Sequence, residues 1–302
     1  MPTPRSVAIP FAVACLGIAL FSAMDAAMKG LAIALGAYNA MLWRVAIGVV
    51  VSAGPYLATR RAWPSRASLR IHVKRGAVAS VMAVMFFYGL ARVPMAEAIA
   101  LSFIAPLLAL YLAAVMLGET IERRSIVASM MGIAGVVVLL AARAGGDATE
   151  RHWDGVGAIL LSAVLYAWNL ILMRQQALLA APLEVGFFQS LATGGFLLLA
   201  APFLAVVPSM THLPMLTLAA VLAIVSLVLI SWAYGRAEAQ VLVPVEYTAF
   251  VWAAILGAIF YAEAIGVGVI AGAVLIVAGC LIATWPSGGR SGSRPPAVEP
   301  AV

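Results

Sequence analysis

The chain has 302 residues, of which 65% are hydrophobic and only 10% are charged. Soluble globular domains contain about 45–50% apolar and about 25% charged residues, so this composition excludes a soluble protein. The formal net charge of +6 comes from basic residues placed in short intervals between long apolar runs, which indicates an integral membrane protein and argues against a nucleic-acid partner.

The apolar runs approach the roughly 20 residues that a helix needs to cross a bilayer, and they are continuous rather than alternating as in a membrane β-barrel. They predict ten membrane-spanning helices at Ile9–Met28, Tyr38–Ala58, Lys74–Ala91, Met95–Met116, Ile126–Ala142, Gly155–Met173, Glu184–Val206, Leu213–Tyr234, Val241–Tyr261 and Ile265–Trp285.

A polar stretch at residues 144–153 separates the fifth span from the sixth. It predicts a division into one five-helix unit at residues 1–145 and a second at 146–286. Residues 287–302 are rich in Gly, Ser and Pro and are predicted to form a disordered cytoplasmic tail.

Basic residues concentrate on one side of the predicted spans. With the N-terminus inside, the cytoplasmic set is Arg5, Arg60, Arg61, Arg66, Arg70, Lys74, Arg75, Arg123, Arg124, Arg174, Arg236, Arg290 and Arg294, against Lys29, Arg92, Arg143 and Arg151 outside. The positive-inside rule therefore predicts cytoplasmic termini in a bacterial-type inner membrane. Five spans per unit place the two units in opposite orientations.

Two segments read as diverged copies of one another. Residues 102–106, Ser-Phe-Ile-Ala-Pro, lead to Gly118-Glu119, and residues 246–250, Glu-Tyr-Thr-Ala-Phe, lead at the same spacing to Ala262-Glu263. Gly135 stands as far beyond the first glutamate as Gly279 stands beyond the second. The chain is therefore predicted to be a tandem duplication whose two copies form an inverted repeat.

Ten spans in two five-helix units, each with a glutamate ending its fourth helix and a Gly-rich fifth helix, resemble the EamA-type members of the drug/metabolite transporter superfamily. The resemblance implies an all-α integral membrane fold and the movement of small metabolites, often the export of amino acids, through a central cavity between the units. One departure is that Pro106 of the first copy corresponds to Phe250 of the second, partly offset by Pro244, so the two copies are not equivalent.

Ionisable residues inside the first spans are candidates for this cavity, since charges at membrane depth usually face a bundle interior or water. Asp25 and Lys29 lie one helical turn apart, Arg44 follows Trp43, and Glu97 opens the fourth span. Two alternatives stay open: Asp25 and Lys29 neutralise each other near the outer surface, and Arg44 extends its side chain to the membrane interface.

In the second unit, Glu246 lies deep in its span and aligns with Ser102. Pro244 and Pro106 each lack the N–H that would pair with the carbonyl four residues earlier, so their helices are the predicted cavity walls. Glu119 and Glu263 are predicted to be structural, capping or bracing the turn into the next helix.

Aromatic residues near these polar positions complete the predicted lining. The predicted substrate-binding set is Asp25, Trp43, Arg44, Tyr88, Glu97, Ser102, Trp168, Asn169, Glu246 and Tyr247. Both charge signs beside aromatic walls favour a free amino acid, aromatic or of medium size. Uptake of a riboflavin-like or adenosyl metabolite is the second interpretation.

A channel and a membrane-embedded enzyme are remoter interpretations. The spans lack a ring-like polar pore lining. The three histidines, His72, His152 and His212, are predicted in loops or at span edges without metal-ligand spacing. We therefore predict no enzymatic activity, metal or cofactor, and as partners only a small-molecule substrate and the bilayer, with no prediction of oligomeric state.

Overall fold

The computed structural model describes residues 4–59, 63–117, 123–144, 152–177, 179–234 and 245–284. Within these ranges the secondary structure is helical, without strands. The α-helices are α1 (Pro4–Leu35), α2 (Ala37–Thr59), α3 (Arg66–Leu90), α4 (Met95–Ser102), α5 (Ile104–Leu117), α6 (Arg123–Ala144), α7 (Trp153–Ala177), α8 (Pro182–Leu204), α9 (Leu213–Tyr234), α10 (Thr248–Tyr261) and α11 (Val267–Thr284).

The helices confirm the predicted all-helical membrane fold. Six long apolar segments, in α1, α2, α3, α7, α8 and around α9, are long enough to cross a membrane, and four shorter apolar segments fall in the remaining spans. The fourth span is interrupted, because α4 ends at Ser102 and α5 begins at Ile104. Pro106, in the first turn of α5, has no N–H for the Ser102 carbonyl, which explains why the helix breaks there.

The second unit carries the same interruption at the equivalent position. Residues 245–246 are helical, Tyr247 forms a turn, and α10 begins at Thr248. The Phe103 and Tyr247 rings, one from each break, meet edge to face with centroids 5.3 Å apart. The two broken helices therefore contact each other at corresponding points of the repeats.

The second helices of the two units, α2 and α8, pack antiparallel, as an inverted repeat requires. Near the start of α2 the Tyr38 hydroxyl donates to the Leu197 carbonyl in the last part of α8, at 2.7 Å. Near the end of α2 the Tyr56 ring stacks on Phe187 in the first part of α8, with centroids 4.9 Å apart. The two helices thus run in opposite directions.

The fifth helix of each unit, α6 and α11, makes a close reciprocal contact. A Cβ atom built on Gly135 would lie 2.7 Å from the Gly272 carbonyl oxygen, and a Cβ on Gly272 would lie 2.7 Å from the Gly135 carbonyl oxygen. Such distances leave no room for any side chain, so glycine is required on both helices. Small residues commonly permit this approach of membrane helices.

Helix α3 begins earlier than the predicted span, and this corrects the placement of His72. Ser65 caps the helix, because its hydroxyl accepts the Ser68 N–H at 3.1 Å. His72, predicted in a loop or at a span edge, is 0% exposed inside the bundle, and Arg75, one turn further along α3, is 7% exposed. They tolerate burial because α7 and α8 supply hydrogen-bond partners.

Some predicted features lie outside the described residues. These are Glu119, Pro244, the boundary between residues 145 and 146, and the tail at residues 287–302. The division into units at residue 145 and the disorder of the tail therefore stay predictions.

Candidate functional site

Charged side chains from both units surround the middle of the bundle. Glu246, Arg75 and Asp25 all act electrostatically on the Tyr166 hydroxyl of α7, and Asp25 and Arg44 act on each other. These five residues form what we call the central charged cluster. The first unit supplies three of them through α1, α2 and α3, and the second supplies Tyr166 and Glu246, so the cluster lies between the repeats.

Two members of the cluster have unsatisfied polar atoms. Asp25 is 3% exposed, and within the described part of the chain neither its Oδ1 nor Nε of Arg44 has a hydrogen-bond partner. The Arg44 Nη2 lies 3.2 Å from the Met41 sulfur, which is a weak acceptor. Buried polar groups are nearly always paired, so these atoms are suited to receive water or a ligand.

The alternative in which Asp25 and Lys29 neutralise each other is wrong. The Lys29 ammonium instead forms an ion pair with the Glu263 carboxylate and donates to the Val93 carbonyl at 2.6 Å. It also lies 5.3 Å from the centre of the Tyr261 ring. Lys29 is thereby committed to partners on other elements, and the charge of Arg44, not that of Lys29, acts on Asp25.

Glu263 joins the two units near the end of α10. Its Oε2 accepts the Met95 N–H at 2.7 Å, at the first residue of α4, while its Oε1 receives Lys29 of α1. A Cβ atom on Gly257 would collide with this carboxylate, so the glycine makes room for the link. Glu263 was predicted to brace the turn into the next helix, and in the structure its carboxylate also contacts the first unit, through Met95 and Lys29.

A buried polar chain, which the sequence did not predict, extends from the central charged cluster toward the start of α3. Arg75 donates from Nε to the Asn169 Oδ1 at 3.1 Å and from Nη1 to the Gln176 Oε1. The Gln176 amide nitrogen lies 2.6 Å from Nδ1 of His72, and His72 Nε2 lies 3.1 Å from Oε1 of Glu184. We call these five residues the α3–α7–α8 polar chain.

The sequence contains a spacing pattern that could have indicated the α3–α7–α8 polar chain. His72 and Arg75 stand three residues apart on α3, and Asn169 and Gln176 stand seven apart on α7. Each pair therefore falls on one helix face, where polar residues of facing helices can meet. The basic residues that precede Arg75 hide this spacing pattern, because a cluster of basic residues favours a loop over the first turns of α3.

Three predicted aromatic residues lie apart from the central charged cluster. The Tyr88 hydroxyl donates to Oδ2 of Asp154 at 2.9 Å, and its ring stacks beneath the Arg92 guanidinium, 3.5 Å from the centroid. These contacts are at the end of α3 and the start of α7. The Trp43 indole donates to the Val206 carbonyl at 2.8 Å, just after α8. Trp168 is exposed on α7, although the next residue is buried.

The remaining predicted residues are on or beside the broken helices. Glu97 is buried in the first turn of α4. Ser102 donates its hydroxyl to the Ala98 carbonyl of the same helix at 2.9 Å. Tyr247 contacts Phe103 at the facing break. Among the residues that the structure describes, no three His, Cys, Asp or Glu side chains come together as a metal site.

Comparison with known proteins agrees with this architecture. The model of the EamA-like transporter family matches residues 9–141 and 153–285. The pseudopaline exporter of Pseudomonas aeruginosa is 28% identical over 268 residues, covering 86% of this chain and 90% of the relative. An aromatic amino acid exporter of Ancylobacter novellus is 31% identical over 100 residues, 33% of this chain and 34% of the relative. A protein of known crystal structure has a TM-score of 0.60 at 24% identity, covering 92% and 96% of the two chains, which shows a shared fold.

Proposed function

The chain belongs to the EamA-like transporter family, and from that premise we propose that this membrane transporter of small metabolites exports amino acids across a bacterial inner membrane. The proposed substrates are zwitterions with an aromatic or medium-sized neutral side chain. The names of the two exporters among its relatives support export as the direction.

The observation that carries the proposal is the mixed charge of the central charged cluster. Asp25 and Glu246 are carboxylates that can receive an ammonium group, while Arg44 is a guanidinium suited to a carboxylate. A zwitterion bound between them would satisfy the buried Asp25 Oδ1 and Arg44 Nε together. A substrate with one charge would leave one of these groups without a counter-charge in a poorly hydrated site.

The arrangement of the two units supports transport by alternating access. Inverted repeats commonly place the substrate site at their interface, beside interrupted helices. In this protein the breaks at Phe103 and Tyr247 face each other. With cytoplasmic termini, the Lys29–Glu263 link would lie at the outer end of the pathway and the α3–α7–α8 polar chain at the inner end. Opening to the outside would then require the link to separate.

Counterflow in proteoliposomes tests the proposal. Vesicles containing the purified protein are loaded with an unlabelled amino acid, a flavin or a nucleoside, and entry of radiolabelled phenylalanine is followed. Internal neutral amino acids should accelerate entry, whereas flavins and nucleosides should not. Counterflow of a labelled flavin or nucleoside in vesicles loaded with the same compound, with none of labelled phenylalanine in vesicles loaded with amino acids, would contradict amino-acid export and favour the second substrate class. Empty vesicles provide the background.

A further inference from the structure

The α3–α7–α8 polar chain has a fixed hydrogen-bond direction, because one end is a group that can only donate. Arg75 has five donors and no acceptor, so the Gln176 amide must turn its oxygen toward Arg75. Its NH2 group then faces Nδ1 of His72 at 2.6 Å. Since an amide nitrogen donates, Nδ1 must accept and carries no hydrogen.

The tautomer of His72 follows from this direction. A neutral imidazole has one N–H, and with Nδ1 accepting, that hydrogen must be on Nε2. Nε2 lies 3.1 Å from Oε1 of Glu184 and donates to it. All four groups are thus satisfied in one arrangement, in which Arg75 is held by Gln176.

Protonation of His72 is incompatible with this arrangement. The added proton would be on Nδ1, where it would face the two donors of the Gln176 amide. The contact is restored only if the amide turns over, so that its oxygen accepts from Nδ1 and its nitrogen faces Arg75. Arg75 would then lose Gln176 as an acceptor. A proton on His72 and the Arg75–Gln176 hydrogen bond therefore exclude each other.

The surroundings of His72 accept a positive charge at this position. From α8, the Glu184 carboxylate would pair with the imidazolium and the Phe188 ring stacks on it, with centroids 4.9 Å apart. From α2, the Tyr56 ring meets Phe188 edge to face at 5.6 Å. On α3 itself, Arg75 is the nearby cation, and it repels an imidazolium. When His72 is charged, this repulsion therefore further favours separation of Arg75 from Gln176.

We propose that His72 is the proton-binding site that couples export to a proton gradient. The Gln176 amide is the switch, and Arg75 is the group that it releases toward the carboxylates of the central charged cluster, where Arg75 competes with the substrate ammonium group, as exchange of a proton for a substrate requires. The inference rests on the proposed function. Arg75 remains attached through Nε to Asn169 at 3.1 Å and belongs to the central charged cluster. One proton from water binds Nδ1 and leaves the same atom in each cycle, and no covalent bond of the substrate changes.

Histidine NMR of the purified protein tests the switch without any substrate. The chain has three histidines, so with ¹⁵N-labelled histidine His152 and His212 serve as references outside the polar chain. His72 should have its hydrogen on Nε2 in the neutral ring and gain a second hydrogen, on Nδ1, as the pH is lowered. Gln176→Leu should change the ring-nitrogen signals of His72 and leave those of His152 unchanged. A hydrogen on Nδ1 at high pH, or a ring that stays neutral throughout, would overturn the proposal.

Transport measurements test the coupling. For each protein, entry of radiolabelled phenylalanine driven by a pH gradient is divided by counterflow at equal pH in the same vesicles. His72→Gln should lower this ratio at least about fivefold, the lower end of ordinary coupling between sites. His152→Gln is the matched control and should leave the ratio unchanged.

Glu184→Gln provides a second variant at the partly exposed end of the polar chain, and it should lower the same ratio by weakening the imidazolium. A wild-type ratio in both His72→Gln and Glu184→Gln would overturn the proposal. Absence of phenylalanine counterflow in the wild type would contradict the proposed function instead, and the NMR titration would still decide whether the switch exists.

Discussion

Neutralising Glu263 should strongly destabilise the fold, because it removes one partner of a buried ion pair. The Lys29 and Glu263 side chains are only 6% and 14% exposed. In Glu263→Gln, Lys29 would keep the Val93 carbonyl at 2.6 Å but would face an uncharged amide in place of a carboxylate. Breaking such a pair from one side costs about 3–5 kcal/mol in the free energy of unfolding.

The Arg92–Asp154 pair provides a matched control at the same end of the bundle. Its Nε and Oδ2 atoms are 3.0 Å apart, but the two side chains are 35% and 51% exposed. Solvent screening makes such exposed pairs weak, so Asp154→Asn should have a small effect on the free energy of unfolding. Lys29→Met combined with Glu263→Gln should recover most of the lost stability, because the amide oxygen can still accept the Met95 N–H and no buried charge is left unpaired.

The measurement is equilibrium unfolding in mild detergent micelles, titrated with a denaturing detergent and followed by tryptophan fluorescence. The expected order of stability is wild type, Asp154→Asn, the double variant and then Glu263→Gln. Equal and small effects of Glu263→Gln and Asp154→Asn on the free energy of unfolding would show that the Lys29–Glu263 link behaves as a surface pair. A double variant as unstable as the sum of its single changes would also refute the reasoning.

Arg44→Ala should weaken amino-acid binding by roughly ten- to a hundredfold, since a charge-assisted hydrogen bond contributes about 1.5–3 kcal/mol. Arg66→Ala, at the exposed first residue of α3, should leave counterflow nearly intact. If both substitutions reduced counterflow equally and only slightly, the Arg44 side chain would extend to the membrane interface rather than bind substrate. Glu246→Gln should weaken binding with the proton dependence retained; loss of gradient-driven entry with counterflow preserved would move the coupling role from His72 to Glu246. Reporter fusions should place Arg66 and Ala148 on opposite sides of the membrane, and the same side for both would contradict the predicted topology.

The fold was largely predictable because apolar length and internal repetition are local properties of a sequence. Pro106 was recognised as leaving the Ser102 carbonyl without its helical partner, and the structure interrupts the fourth span beside it, at Phe103. The corresponding turn at Tyr247 was not predicted, because Phe250 stands where the first copy has Pro106. Asp25, Arg44 and Glu246 were also recognisable, because each is an ionisable residue well inside an apolar span.

The polar partnerships were less predictable, because they join residues far apart in the chain. Lys29 and Glu263 are separated by 234 positions, and the favourable local spacing of Asp25 and Lys29 indicated the wrong pair. Glu263 prevails because it brings an acceptor for the Met95 N–H as well. Arg75 was counted with the cytoplasmic basic residues at the start of the predicted third span, and only the facing positions of α7 show why it is buried.

The three aromatic residues that lie apart show a further limit. Trp43 and Tyr88 were selected for their position in the chain near polar residues or a helix turn. A side chain's direction around the helix decides what it contacts, and Trp43 reaches the segment after α8 while Tyr88 reaches Asp154. The direction in which the Trp43 or Tyr88 side chain extends from its helix cannot be predicted from how near the residue is to polar residues in the sequence.

Counterflow with charge-dissected probes tests the central claim, that a zwitterion is held between carboxylates and guanidinium groups, most directly. Vesicles are loaded with phenylalanine, with phenethylamine, which lacks the carboxylate, or with phenylpropionate, which lacks the ammonium group. Phenylalanine should stimulate entry of its labelled form at concentrations at least about tenfold lower than either analogue, corresponding to one lost charged contact of about 1.5 kcal/mol or more. Equal potency of phenethylamine or phenylpropionate and phenylalanine would contradict the account.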